Sequence, residues 1–333
     1  MNILKISFTI AFIALRSLQV YCNTVPELVS PAVLLEKIAR CPEITDYTGT
    51  FVLEFTGEQK PYSIINHMMH RHPDITRLVC LAPPERAGRI VYIHNSDIYM
   101  KKKATDSLFH KRSESMSQRF LVEKENIDLI LKNYLVSIIK DSLYCKNPIS
   151  LIKIVPLDST RPDFIVYVDK KSGLILKLEK FRNHNKIFGF NFTEVNFSPS
   201  FSGESIQLPS DDVIKKEVLY EIYSNEEELV KAFGQNLILP SYLPAGFKMR
   251  QYRLIKHADE TTAHIVYTDG VTNLSFFIRL LKESEKQKTS EKEYVIQGRD
   301  DVNMIRGRKE KFRVSCIGDL NREVLVKVFE SVK

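Results

Sequence analysis

FIVYVDKKSGLILKLEKFRNHNKIFGFNFTEVNF, residues 164–197, is the stretch that decides the fold. Phe164-Ile165-Val166-Tyr167-Val168 is β-branched and aromatic throughout, which suits a largely buried strand. Asp169-Lys170-Lys171-Ser172-Gly173 then supplies a turn, with Asp to open it and Gly for a position of positive φ. Beyond it the chain alternates. Leu174, Leu176 and Leu178 point one way and Ile175, Lys177 and Glu179 the other, the period of a sheet with one dry face and one partly wet face. Asn183-His184-Asn185 makes a second turn, after which Phe188, Phe190 and Phe192 alternate with Gly189, Asn191 and Thr193. The apolar parity slips before Val195 and Phe197, as a β-bulge would make it. Three consecutive antiparallel strands therefore share one very apolar face.

Upstream, the pattern asks what that face covers. Val33 to Ala39 has helical spacing and follows Ser30-Pro31, a helix start. Strands are expected at Tyr47–Thr56, Tyr62–His70, Ile75–Leu81 and Leu151–Val155, with a hairpin of Arg89–His94 and Ile98–Lys102 about Asn95-Ser96-Asp97. Ala82 to Gly88 is a Pro- and Gly-broken loop. Between Lys124 and Asp141 the spacing of Ile127, Ile130, Leu131, Tyr134, Leu135 and Ile138 predicts one helical face. Eight or nine antiparallel strands with two helices fit an incomplete barrel wrapped around helices, which leaves an apolar concavity. An alternating Phe/Leu stripe is more often core packing than a ligand site, so the periodicity alone leaves both readings open.

Composition narrows the function classes. Hydrophobic residues at 44% and charged residues at 27% describe an ordinary globular protein. The net charge of +7 is spread along the chain among acids, and no nucleic-acid-binding pattern is present. There is no GxSxG, HExxH, P-loop or GxGxxG, so neither an enzyme nor a cofactor is expected. His67, His70 and His72 lack a neighbouring carboxylate or cysteine to complete a metal set, and packed or solvated histidines are the better account. Cys41, Cys80, Cys145 and Cys316 are far apart and form no CxxC. In an oxidising compartment Cys41 and Cys145, both at ends of predicted helices, are a candidate pair.

Residues 1–22 have the lysine, apolar run and small-residue end of a secretory signal peptide, with a buried N-terminal helix as the alternative. Export into a periplasm-like space follows from the first reading. Residues 23–200 hold the half-barrel, and 201–212 form a linker within the Pro/Gly/Ser-rich run SPSFSGESIQLPSDD. Residues 213–333 form a second, smaller α+β domain with an antiparallel sheet. It opens with acids in a helix at Asn225–Val230, and has strands at Phe247–Ile255, Thr262–Thr268, Asn273–Leu281, Val302–Arg306 and Phe312–Cys316. Glu283–Glu293 is a loop of mixed charge, and Arg322–Val332 a closing helix.

Several ordered segments resemble a known family. They are the helix, YTGTFVLEF, the strand ending His70-Arg71, Arg77-Leu78 and the VYVDKKSGLILKLEKF hairpin. Together these are similar to the N-terminal domain of the MucB/RseB family, itself similar to LolA-type lipoprotein carriers. Leu243-Pro244-Ala245-Gly246-Phe247 and Tyr267-Thr268-Asp269-Gly270-Val271 resemble the LPxGF and YSDGL-like segments of that family's second half. Thr76 stands where the family pattern suggests an acid. The resemblance implies a periplasmic, non-enzymatic regulator of an envelope-stress sigma factor. Such a protein binds the periplasmic part of a membrane-anchored anti-sigma factor, shields it from proteolysis, and releases it when lipid fills the half-barrel. A carrier of lipid or acylated lipoprotein is the alternative. Neither needs nucleic acid, and oligomer formation is left open.

Two sets of site residues follow. Leu174, Leu176, Leu178, Phe188, Phe190 and Phe192 are expected to line a lipid pocket. Lys101, Lys102, Lys103 and Arg112, in a basic segment reaching Arg119, are expected to attract anionic ligands or an acidic partner, with Leu108 and Phe109 touching acyl chains.

Overall fold

A computed structural model describes residues 30–57, 60–94, 97–101, 108–112, 122–201, 206, 214–216, 219–257, 260–282, 294–299 and 302–333. The expected signal peptide at 1–22, most of the 201–212 linker and the loop at 283–293 lie outside the described residues. Helix α1 (Pro31–Ile44) begins at Ser30, whose hydroxyl caps the Val33 N–H, and buries Leu34, Leu35, Ile38 and Cys41 along one stripe. After it come β1 (Tyr47–Phe55), β2 (Tyr62–Arg71), β3 (Ile75–Ala82), β4 (Ile90–His94), β5 (Asp97–Lys101) and β6 (Leu108–Arg112). Helix α2 (Ile127–Asn133), preceded by a 3-10 turn, leads into β7 (Tyr134–Tyr144) and β8 (Asn147–Pro156). The deciding stretch is β9 (Asp163–Asp169), β10 (Ile175–Arg182) and β11 (Asn185–Asn196).

These strands and β12 (Ile214–Lys216) form one twelve-stranded sheet, ordered β12-β6-β5-β4-β3-β2-β1-β11-β10-β9-β8-β7. Every pairing is antiparallel except β12 with β6, and β12 and β7 remain as edges, so the barrel is open. The turns of the deciding hairpins are as read, but the strict alternation is not. The β9–β10 register shifts between Ile175 and Lys177. Ile175, expected on the opposite face, is buried and lines the same cavity as Leu174. Asp169 accepts from the Ser172 N–H at 2.7 Å and Gly173 takes φ +82. A Cβ on Gly173 would sit 2.6 Å from the Lys37 carbonyl of α1, so this turn needs glycine twice over. Asn183 and His184 both have positive φ, the two-residue hairpin geometry. The parity slip is a bulge: Thr50 faces Glu194 while Phe51 faces Phe192, leaving Thr193 as the extra residue.

One expectation fails. The helix predicted to run from Lys124 to Asp141 stops at Asn133, and Tyr134 onward is strand β7. Tyr134, Val136 and Ile138 alternate as well as they repeat helically, and β8 offers them a partner strand. The basic segment is likewise not all loop, since Leu108–Arg112 pairs with β5. Eight strands precede β9 where six were expected.

The second sheet runs β13 (Leu219–Tyr223), β14 (Lys248–His257), β15 (Glu260–Thr268), β16 (Asn273–Leu280), β19 (Phe312–Gly318), β18 (Val302–Lys309) and β17 (Tyr294–Arg299), all antiparallel. Ile265, Phe276, Cys316 and Ile305 make one fully buried row across four strands. Leu229 of α3 (Glu226–Phe233) and Val324, Leu325, Val328 and Phe329 of α4 (Arg322–Glu330) belong to the same core.

Candidate functional site

The apolar face of β11 meets β1 register for register. Phe192, Phe190 and Phe188 stand opposite Phe51, Leu53 and Phe55. Phe51 lies 5.1 Å from Phe190 and 5.8 Å from Phe192, ring centroid to centroid, in the tilted and edge-on contacts that aromatic pairs favour. Beside these rings, between the sheet and α1, lies a cavity of about 450 Å³. Ile64 and Met68 of β2, Leu78 of β3, Val91 and Ile93 of β4, and Ile38 and Cys41 of α1 complete its wall. The sheet is thus wider than its two helices can cover.

Of the six expected lining residues, Leu174, Phe188, Phe190 and Phe192 reach the cavity. Leu176 and Leu178 do not; they are buried in the core. Lys101 is half-buried on β5, opposite Ile90, and Arg112 closes the β5–β6 pair opposite Asp97. Lys102 and Lys103 lie outside the described residues. The cations that do line the cavity were not read from sequence. Arg86 and Arg89 come from the loop after β3, and the Arg86 guanidinium sits 5.7 Å over the Tyr62 ring. A Pro- and Gly-broken loop carries no signal of where its arginines point.

At one end of the cavity His70 bridges three elements. Its Nε2–H donates to the Pro42 carbonyl of α1 at 2.8 Å, which leaves Nδ1 to accept from Thr76 of β3 at 2.8 Å. The ring also stacks on Tyr47 at 4.9 Å. Burial pushes the His70 pKa below its ordinary value, so the neutral form is favoured. Thr76, where an acid was expected, supplies a hydroxyl suited to that neutral ring. His72 pairs with Asp46 at 2.6 Å, and no metal-binding group of three appears among the described residues. Cys41 and Cys145 are both free thiols, so the candidate disulfide is not formed. Cys41 is buried in α1 with its pKa pushed up to about 12, whereas Cys145 sits in the β7–β8 turn and donates to the Phe192 carbonyl.

A second constellation joins the sheets. Asn133 donates from its carboxamide to the Gly246 carbonyl at 3.0 Å and the Asp269 carbonyl at 2.8 Å. Tyr134 donates to the Asp269 carboxylate at 2.7 Å, and Arg161 lies 3.3 Å from the same oxygen, both ends fully buried. Arg161 also donates to the Ala245 carbonyl and faces the Phe247 ring at 5.1 Å. Asp269 was read as turn chemistry, which it is, accepting from Thr272 N–H at 2.7 Å. Its second role, as the anion that seats one sheet on the other, was not read. At the rim of this junction Lys180 pairs with Asp319 at 2.6 Å and Glu123 with Arg250 at 2.5 Å.

The profile of the MucB/RseB N-terminal domain matches residues 30–213, and that of the MucB/RseB C-terminal domain matches residues 238–333. Among solved structures, the complex of Pseudomonas aeruginosa MucA and MucB aligns at 17% identity with a TM-score of 0.65, covering 91% of this chain and 98% of its own. A crystal structure of MucB with MucA(peri) aligns at 16% identity and TM-score 0.63, with the same coverage of 91% and 98%. A crystal structure of MucB alone gives 17% identity and 0.60, covering 90% of this chain and 96% of that one. No curated protein matches the chain.

Proposed function

The chain belongs to the MucB/RseB family, and from that premise we propose that it is a non-enzymatic periplasmic regulator. It binds the periplasmic part of a membrane-anchored anti-sigma factor and shields it from proteolysis. The observation that carries this reading is the match of both family domains in order, with the two sheets seated on each other through Asp269. A minimal lipid carrier needs the half-barrel and has no use for a second sheet keyed to it.

The apolar cavity is the sensing element. Burying acyl chain there is worth about 0.8 kcal/mol per methylene, so a chain of a few buried carbons competes with a protein contact. Arg86 and Arg89 at the wall, with Lys101, Lys102, Lys103 and Arg112, answer an anionic head or an acidic partner. Calorimetry of the full chain against the periplasmic peptide of a membrane-anchored anti-sigma factor from the same organism should show 1:1 binding. A fatty acid should weaken that binding and restore cleavage of the peptide. The cavity also suits a carrier. That second reading takes over if the peptide does not bind and the protein instead moves acyl ligands between vesicles.

A further inference from the structure

The twelve-stranded sheet ends on β7, and among the described residues no strand pairs with its outer edge. An edge strand presents a row of backbone N–H and C=O groups without partners, and natural proteins keep such edges short or guarded. This one is eleven residues long, Tyr134–Tyr144, and contains no proline. It also holds aliphatic side chains in solvent: Leu135 is 61% exposed, Ile139 50% and Leu143 72%. Ile139 is turned out by a bulge, since Ile138 faces Ile152 and Lys140 faces Leu151, which leaves no residue opposite it. At the start of the strand Leu131 of α2 is exposed as well, and so is Leu157, whose N–H donates to the Asn133 carbonyl at 2.9 Å. Exposed aliphatic surface gathered in one place marks a site where something binds.

The charge left open on the β7–β8 hairpin has one sign. Lys140, Lys146 and Lys153 are exposed, and no carboxylate among the described residues pairs with any of them. Asp141 is the hairpin's one acid, and Lys170 takes it. We propose that β7 receives an extended, acidic segment of a partner protein as one further strand. Its aliphatic residues rest on Leu135, Ile139 and Leu143, and its acids meet Lys140, Lys146 and Lys153. In this mode of recognition main-chain pairing supplies the affinity and side chains choose the partner. The lysines decide among occupants. Two copies of this chain set edge to edge bring lysine toward lysine, and like charges across a strand pair destabilise it. An anionic bilayer suits the lysines and the aliphatics but cannot satisfy the row of N–H and C=O groups. An acidic strand answers all three. No residue of β7 lines the acyl cavity, and the inference does not rest on that site.

The test takes the full chain and a fluorescent, end-capped peptide that alternates Glu with Val, read by anisotropy. Binding should saturate and should weaken as salt rises, because the lysines are exposed. Leu135→Ser and Leu143→Ser should each weaken it by about tenfold, the scale of one lost leucine contact. Lys140→Glu combined with Lys153→Glu should abolish it. These side chains are exposed, so every variant should keep the wild-type Tm within about 2 °C. A second arm leaves the protein unchanged and methylates the peptide's backbone nitrogens, either at every Val or at every Glu. One form should bind like the parent and the other not at all, since only alternate N–H groups of a strand face its neighbour. The proposal is overturned if the peptide does not bind, or if both methylated forms bind like the parent. It is equally overturned if phosphatidylglycerol vesicles bind through the same lysines where the peptide does not. A dimer in light scattering that Leu143→Ser dissolves would give the edge to a second copy, and would overturn it too.

Discussion

Asn133 is the last residue of α2 and its carboxamide holds the second sheet, and the geometry leaves its partner Gly246 no freedom. Gly246 takes φ +85, and a Cβ there would fall 2.1 Å from Asn133 Oδ1. Gly246→Ala should therefore expel the Asn133 side chain from the junction and cost about 2–4 kcal/mol. Differential scanning calorimetry should split one transition into two, and an unchanged thermogram would remove Gly246 from the junction's requirements. His70 gives a pH-dependent counterpart. Its folded pKa lies below its ordinary value of about 6.5, so the unfolded chain takes up the proton first. The stability held by the neutral ring is present above that ordinary value and is lost as pH falls through the folded pKa. The groups that face it are the Pro42 carbonyl, Thr76 and Tyr47, with Asp46, His72 and Asp74 as the nearby charges. A Tm profile from pH 8 to 5 should fall at the acid end, and His70→Gln should flatten it.

The elements show where a sequence speaks and where it is silent. The hairpin turns, the Thr193 bulge and the Phe188/Phe190/Phe192 row are legible because turn chemistry and period-two alternation are local. The end of α2 is not, because Tyr134, Val136 and Ile138 suit either period. What decides between them is β8 and a junction more than a hundred residues away. The same distance hides the second role of Asp269 and the inward aim of Arg86 and Arg89. Leu174, Leu176 and Leu178 alternate in sequence, yet the register shift between Ile175 and Lys177 breaks that alternation, and Leu174 and Ile175 reach the cavity while Leu176 and Leu178 stay in the core. Parity assigns a face only while the register holds, and a shift such as this one depends on the partner strand. The prediction at this scale concerns Phe190. Phe190→Asp should abolish binding of a fluorescent fatty acid with the far-ultraviolet dichroism kept near wild type. A variant that unfolds instead would return the row to plain core packing.

For the whole molecule, the second sheet has its own buried row of Ile265, Phe276, Cys316 and Ile305 and its own two helices. A fragment of residues 213–333 should accordingly unfold cooperatively, though at a lower temperature than the full chain, because Asp269 loses Arg161 and Tyr134. A melt without a cooperative transition would end the claim that this half folds alone. The open barrel has a mechanical corollary. Strand β12 lies on one of its free edges, and β13 of the other sheet starts at Leu219, with two residues between them, and runs close to β6. The opposite free edge is β7, whose first residue is Tyr134, tied to Asp269. The second sheet therefore grips both lips of the trough, as a clasp bridges the gap in a split ring. Any guest that spreads the lips must shift the clasp, and anything that immobilises the clasp fixes how wide a guest the trough admits.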